Sequence, residues 1–241
     1  MKAMILAAGL GTRLRPLTDT RPKALVEVGG RTLLDITLSR LRSIGVQDVI
    51  VNVHHLAEMI ADYLQANGCF GMHIEISREE ALLDTGGGLK KAGWFFAENA
   101  EPFLLHNVDV LSNIDLAAMM QAHVRKRALV TLAVKQRETS RYLLFDDHDR
   151  LCGRRHGQET DLIRWAGTVW PLAFCGIHVI SPRLLRMLTE EGAFSIIDAY
   201  VRLAAAGELI QAFRSDGYYW RDLGRLESMK QAEEDLHQNI F

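Results

Sequence analysis

The chain has 241 residues, of which 48% are hydrophobic and 24% charged, with a formal net charge of −2. That balance supports a well-buried core, argues against disorder, and gives no electrostatic reason to expect a nucleic acid or an anionic membrane as partner. The three cysteines, Cys69, Cys152 and Cys175, are far apart and form no CxxC pair, which excludes a zinc ribbon or disulfide framework and fits a cytoplasmic protein.

Met1 to Ala8 (MKAMILAA) is an apolar run of strand type. It is too short for a secretory h-region, and no run in the chain approaches the ~20 apolar residues of a membrane span. The run breaks at Gly9-Leu10-Gly11-Thr12-Arg13, and Arg15, Arg21 and Lys23 follow within the next ten residues. A strand that ends in a glycine-rich turn exposes several backbone N–H groups at one point, and glycine lets phosphate oxygens approach them. The local excess of cations suits a small polyanion. The loop is not a P-loop, which needs GxxxxGK[ST]. It is not a dinucleotide fingerprint either, because the third glycine position is Leu14. That departure removes a nicotinamide-dependent oxidoreductase.

Leu34, Leu38 and Leu41 keep helical spacing from Thr32 to Ile44, and Gly45 ends that helix. Asp48–Val53 is a β-branched strand, 55–66 a helix with Met59 on its apolar face, and 73–76 a strand. A helix over 86–97 is entered through Gly86, Gly87 and Gly88, with Trp94, Phe95 and Phe96 expected in the core. A strand over 102–106, a helix over 115–127 and a strand over 128–135 complete an alternation that predicts an open, mixed and mostly parallel α/β sheet with helices on both faces. Residues 136–170 are polar and read as hairpins, with 146–149 as a solvated turn. A strand over 172–180, an N-cap at Ser181-Pro182, a helix over 194–206, strands at 209–213 and 218–222 and a helix over 225–237 follow. The reading is one domain over 1–241, with a nucleotide-binding core in 1–135 and a sugar-binding part in 136–241.

Ligands of such sheets bind beyond the carboxyl ends of the strands. The Gly9–Arg15 loop lies at one such end and Asn107-Val108-Asp109 at another. Asp222 ends a late strand in the same way. Two carboxylates at strand ends suit a shared Mg²⁺, which takes oxygen ligands and phosphate co-ligands. The alternative is that an aspartate in such a place caps a helix. Three consecutive glycines at a helix start cost ~0.5–1 kcal/mol each relative to alanine, which a flat ligand lying close by would explain.

In order, these pieces resemble the sugar-1-phosphate nucleotidylyltransferases. The resemblance lies in Ala7-Ala8-Gly9-Leu10-Gly11-Thr12-Arg13-Leu14-Arg15-Pro16, in Pro22-Lys23-Ala24-Leu25-Val26-Glu27-Val28, in Leu83–Gly88, in Asn107-Val108-Asp109 and in Trp220-Arg221-Asp222-Leu223-Gly224. It covers essentially the whole chain. The pattern is most similar to the compact N-acetylmuramate-1-phosphate uridylyltransferases and heptose- or mannose-1-phosphate guanylyltransferases. The resemblance implies a Rossmann-like nucleotidyltransferase fold, an NTP and a sugar 1-phosphate as substrates, Mg²⁺ as cofactor, and a monomer or homodimer. It implies that Leu6, Ala7, Ala8 and Gly9 line the base and ribose, and that Gly86 and Gly87 flank the base. Gly11, Thr12 and Arg13 would hold the triphosphate, with Arg13 on the leaving pyrophosphate and Lys23 on the α-phosphate. Asp109 and Asp222 would hold the metal, and Asn107 and Gly176 would touch the sugar. A UTP-dependent enzyme acting on N-acetylmuramate 1-phosphate or a related sugar is favoured over a GTP-dependent one or an inactive nucleotide-sugar sensor.

Two departures stand out. The family's Asn-Gly-Asp is Asn107-Val108-Asp109, so a side chain at 108 is expected to narrow the sugar pocket or alter the turn. The Glu-Lys-Pro segment of many relatives is missing from 150–165, and Arg141 or Arg154 is expected to replace its lysine.

Overall fold

The apolar run at the N-terminus forms β1 (Lys2–Leu6), with Ala3, Met4 and Ile5 fully buried. Two 3-10 turns follow, Thr12–Leu14 and Lys23–Leu25, then a minimal hairpin of β2 (Glu27–Val28) and β3 (Arg31–Thr32). Helix α1 (Leu33–Ser43) is capped by Thr32, whose Oγ1 accepts the Asp35 N–H at 3.0 Å. The alternation continues through β4 (Asp48–Val53), α2 (Ala57–Ala66), β5 (His73–Arg78), α3 (Asp84–Lys91), β6 (Phe103–Asn107), β7 (Val110–Ser112), α4 (Leu116–Lys126) and β8 (Val130–Lys135). The polar stretch forms β9 (Arg141–Phe145), β10 (Leu151–His156) and β11 (Glu159–Leu162), and then come β12 (Trp170–Ile180), α5 (Ile196–Ala205), β13 (Ile210–Arg214), β14 (Trp220–Asp222) and α6 (Leu226–His237). The computed structural model describes residues 1–98, 100–164 and 167–238; residues 165 and 166 of the expected hairpin region lie outside them.

β1 lies between β4 and β6 and is parallel to both, so Leu6 stands opposite Asn52 on one side and Asn107 on the other. β5 extends the parallel set beyond β4, with Val53 opposite Arg78. The carboxyl ends of β1, β4, β5 and β6 therefore share one edge. β12 runs antiparallel to β6, β8 and β9, giving the order β11-β10-β9-β12-β6-β1-β4-β5, with β8 and β13 attached through β12. Alternate side chains of β1 enter different cores, as the strand period demands. Ala3 and Ile5 pack with Leu34, Leu38 and Leu64, whereas Met4 packs with Phe96 and Tyr200. Helices thus cover both faces, as the alternation of elements requires.

Local details differ from the sequence expectations. The helix expected over 86–97 begins at Asp84 and ends at Lys91, and a 3-10 stretch carries Ala92–Phe96. That change of pitch buries Phe95 and Phe96 but turns Trp94 outward, 59% exposed. Helix α2 starts at Ala57 and leaves Met59 exposed. Pro182 opens a six-residue 3-10 helix that Ser181 does not cap. The Ser181 hydroxyl instead donates to the Ala128 carbonyl at 2.7 Å and accepts from His123 Nε2 at 3.0 Å. Asp146 is buried rather than solvated, because its carboxylate accepts the N–H groups of His148 and Arg150 and closes the turn.

Burial holds three histidines neutral. It pushes His106 and His178 down to about 3 and His123 down to about 4, from an ordinary 6.5. Between those values and 6.5 the unfolded chain binds protons that the folded chain refuses. Their contribution to stability is therefore complete above pH 6.5 and is lost as the pH falls, at up to about 1.4 kcal/mol per pH unit for each imidazole. The denaturant midpoint is expected to drop steadily from pH 6.5 to 4.5, and an unchanged midpoint over that range would contradict neutral buried imidazoles.

Candidate active site

A cavity of about 470 Å³ opens at the shared carboxyl edge of β1, β4, β5 and β6. Its wall holds Leu6, Ala7, Ala8, Gly9, Lys23, Asn107 and Asp109, all of them expected site residues. The loop after β1 stays open to ligand. Among the described residues, the N–H groups of Gly9, Leu10 and Gly11 are taken by no protein acceptor. Gly11 has a φ of +65°, and a Cβ there would stand 2.8 Å from Thr18 Cγ2 and 3.1 Å from Lys23 Cβ, so both its conformation and its neighbours require glycine.

Lys23 begins its 3-10 turn directly after the extended Pro22 and is only 9% exposed. Its ammonium forms an ion pair with Asp109 Oδ2 across the cavity wall. Asp109 in turn is tied to the C-terminal part of the chain. Its carbonyl accepts the Leu223 N–H at 2.8 Å, and Asp222 pairs with Val110 in the β7–β14 ribbon. The two expected metal ligands therefore occupy neighbouring segments of the chain. Neither caps a helix: Asp222 Oδ1 accepts the Gly224 N–H at 2.8 Å, whereas the cap of α4 is Asp115. A Cβ at Gly224 would lie 2.7 Å from both Arg13 Nη2 and Asp222 Oδ1. The glycine-rich loop and the Trp-x-Asp-x-Gly segment thus meet at one glycine, which brings the Arg13 guanidinium beside Asp222. Trp220 holds this ribbon in place, since its Nε1 donates to the Cys175 carbonyl at 2.8 Å.

Two buried polar residues of the wall were not foreseen. Asn52 and Glu79 are 2% and 5% exposed and share one hydrogen-bond network that leaves each Glu79 oxygen a second lone pair. Asn52 Oδ1 accepts the Ala7 N–H at 2.7 Å, its Nδ2 donates to Glu79 Oε1 at 2.7 Å, and Glu79 Oε2 accepts the Leu83 N–H at 3.0 Å. The network locks the loop after β1 to the start of α3. The signal for Asn52 was present in the sequence as the single polar side chain in the apolar run Val49–Val53; Glu79 carried none beyond its place after a strand.

The glycine cluster is explained by protein contacts. A Cβ at Gly86 would stand 2.2 Å from the Phe194 ring and 2.9 Å from its carbonyl oxygen. At Gly87 it would stand 2.3 Å from the Gly192 oxygen, and at Gly88 2.7 Å from Glu79 Oε1. The first turn of α3 is wedged between the 192–194 segment and the Asn52–Glu79 pair, and neither Gly86 nor Gly87 lines the cavity. A flat ligand is therefore not needed to account for three glycines. Gly86→Ala is expected to destabilise the protein by about 1–3 kcal/mol through overpacking, read as a lower thermal midpoint. Adding Phe194→Ala should recover part of that loss, and an unchanged midpoint in the single variant would contradict the contact.

Gly176 lies behind the cavity, not in it. Its φ of +75° makes the bulge in β12, and a Cβ there would stand 3.0 Å from the Asn107 amide, so it fits as backing for Asn107. Val108 is buried, donates its N–H to Leu6 O at 3.1 Å and has an ordinary negative φ, so the turn accepts a side chain without strain while the cavity gains an apolar wall. Gly11, Thr12 and Arg13 stand outside the cavity wall, on the loop beside it. Arg141 and Arg154 line a different cavity, and Arg154 is committed to Asp198 and Asp161.

The residues suit the implied Mg²⁺. Asp109 and Asp222 offer hard oxygen donors on adjacent segments. Among the described residues no group of three or more potential ligands occurs, so phosphate oxygens and water would complete the shell, the usual mode for this ion.

Known proteins match most of the chain. The nucleotidyl transferase family model matches residues 2–145, a segment that holds the glycine-rich loop, Lys23 and Asp109. The chain is 36% identical over 218 residues to N-acetylmuramate alpha-1-phosphate uridylyltransferase of Caulobacter vibrioides, an alignment covering 86% of each chain. It is 30% identical over 234 residues to mannose-1-phosphate guanyltransferase of Yarrowia lipolytica, covering 93% of this chain and 61% of that protein. The structure of apo UDP-glucose pyrophosphorylase shares the fold, with a TM-score of 0.82 over 100% of this chain and 99% of the other at 16% identity. With the glycine-rich loop, Lys23 and Asp109 all inside the matched segment, the chain belongs to the nucleotidyl transferase family.

Proposed function

We propose that the protein transfers a uridylyl group from UTP to a sugar 1-phosphate, N-acetylmuramate 1-phosphate or a close relative of it, releasing pyrophosphate. The observation that carries this reading is Lys23 paired with Asp109 in the wall of a cavity rimmed by free backbone N–H groups. The sugar phosphate is already an anion at neutral pH, so it needs no general base. The barrier is the approach of one anion to another, which cations and in-line positioning lower. Lys23 sits where it can neutralise the α-phosphate, and Arg13, on the loop beside Asp222, suits the leaving pyrophosphate. Asp109 and Asp222 would hold Mg²⁺, which supplies charge neutralisation at the reacting phosphates.

The base is addressed by Glu79. A carboxylate on the cavity wall accepts hydrogen bonds and donates none. It favours bases with a ring N–H on the pairing edge, uracil, thymine or guanine, over cytosine and adenine, whose ring nitrogen there is an acceptor. The similarity to the uridylyltransferase over 86% of both chains favours uracil. The guanylyl alternative keeps its place because the same carboxylate also suits guanine.

The test is pyrophosphate release with Mg²⁺, crossing UTP, GTP, CTP, ATP and dTTP with the 1-phosphates of N-acetylmuramate, glucose, N-acetylglucosamine, mannose and heptose. Turnover with UTP and N-acetylmuramate 1-phosphate is expected. Preference for CTP or ATP would contradict the role given to Glu79. Tight nucleotide-sugar binding in calorimetry without turnover would replace the enzyme reading with a sensor.

A further inference from the structure

The ribbon that carries Asp222 stands apart from the ten-stranded sheet. Among the described residues β14 pairs only with β7, and β7 only with β14. The place of Asp222 beside Asp109 is therefore only as fixed as the attachment of this ribbon to the body. On the β14 side the Trp220 indole binds the Cys175 carbonyl, and Arg221 and the Tyr219 hydroxyl both bind Asp235 of α6. On the β7 side the attachment is Arg40 of α1. One Nη donates to Ser112 Oγ and the other to the Ile114 carbonyl. Among the described residues no other side chain from outside the ribbon hydrogen-bonds residues 110–114.

An arginine is a costly choice for that place. Arg40 is half-buried, and the Ser112 that it meets is 2% exposed. Burial pushes its pKa down to about 10, and the Asp115 charge offsets only part of that. An apolar side chain would fill the space without the desolvation. What the guanidinium adds is direction. Its planar fork holds a hydroxyl and a carbonyl two residues apart, and so fixes both the position and the heading of the chain as it leaves β7. Ser112 stands opposite Trp220, two positions from the Val110–Asp222 pair. A tilt of the ribbon at Ser112 would carry Asp222 away from Asp109.

Helix α1 reaches the other side of the site as well. The Leu33 N–H donates to the Val26 carbonyl at 3.0 Å, and the Val26 N–H closes the 3-10 turn of Lys23 at 3.1 Å. Thr37, one turn before Arg40 on the same face, holds its hydroxyl 3.5 Å from the Val108 carbonyl oxygen. One helix thus touches the turn of Lys23, the turn that carries Asp109 and the ribbon of Asp222.

We infer that Arg40 is a positioning residue for the metal site, and that it holds the β7–β14 ribbon so that Asp109 and Asp222 present their carboxylates together. The inference rests on the function proposed above. Arg40 lines neither cavity, so its effect belongs to the metal dependence and not to sugar binding.

The experiment compares wild type, Arg40→Met, Arg40→Lys and Ser112→Ala. Hydrogen exchange of residues 220–224 is followed by mass spectrometry without metal or substrate, with residues 48–53 of β4 as the internal control. The Mg²⁺ concentration for half-maximal rate and the KM for the sugar 1-phosphate are then measured at saturating UTP. Arg40→Met keeps the apolar stem and loses both donors. Its residues 220–224 are expected to exchange at least about tenfold faster while 48–53 are unchanged. Its Mg²⁺ requirement is expected to rise at least about fivefold while the KM for the sugar stays within about twofold. Arg40→Lys, which keeps the charge without the fork, and Ser112→Ala, which keeps the Ile114 contact, are expected to fall between; they carry the test if the methionine variant does not fold. An unchanged Mg²⁺ requirement in every folded variant overturns the inference, whatever the exchange shows, while the transferase reading stands. So does an exchange that quickens equally in 48–53, which marks a general loss of stability. A wild type that turns over no pair of substrates overturns the proposed function and the inference together.

Discussion

Lys23→Met is expected to lower kcat by about 10²–10³-fold with both substrates and Mg²⁺ saturating. The side chain is almost buried, and its charge is aimed by a short 3-10 turn that Pro22 starts in an extended conformation. Among the described residues no other lysine lines that cavity. When one anion attacks another, a cation held in advance stabilises the transition state without reorganisation, and methionine keeps the apolar stem while removing the charge. The substitution also leaves Asp109 without its ion-pair partner, which costs stability in a largely buried site. Circular dichroism and the thermal midpoint must therefore be read beside the rate. A folded variant with full turnover would remove Lys23 from the chemistry.

The second large effect concerns the two aspartates. Asp109→Ala is expected to lower kcat by about 10²–10³-fold, and Asp222→Asn to raise the Mg²⁺ concentration for half-maximal rate by at least about tenfold. The structural reason is the β7–β14 ribbon, which sets Asp222 opposite Val110 and hydrogen-bonds Leu223 to the Asp109 carbonyl. Asparagine keeps an oxygen that can accept the Gly224 N–H, so the turn should survive while the charge is lost. Titrating Mg²⁺ at saturating nucleotide separates the two variants. An Mg²⁺ dependence identical to wild type in both would show that these carboxylates do not hold the ion, and undiminished turnover after removal of divalent cations would exclude a metal requirement altogether.

Much of the site was legible because its motifs are local. The glycines at 9 and 11, the lysine after Pro22 and the aspartates at strand ends each follow from a residue type in a short, readable context. Trp94 was misread because the change from α-helix to 3-10 pitch at Ala92 rotates the following side chains, and apolar character alone does not report pitch. Gly86 and Gly87 were read as making room for a ligand because the sequence shows that space is needed and not what fills it. Phe194 and Gly192, more than a hundred residues later, fill it. Arg154 looked available as a phosphate contact, but Asp198 on α5 takes its charge.

By itself the sequence determined the alternation of strands and helices, the burial of β1 and the chemistry at the carboxyl ends of the strands, because periodicity and turn residues act over a few positions. The tertiary structure alone decided which of those ends meet. Lys23 and Asp109 are 86 residues apart, and Arg13 and Asp222 are farther still; the order β6-β1-β4-β5 and the β7–β14 pairing bring them to one place. It also decided that Asn52 and Glu79 share a network and that Arg141 lines a different cavity from Lys23. The reason is physical: local rules specify elements, whereas strand order and register, set by the packing of both faces of the sheet, specify neighbours.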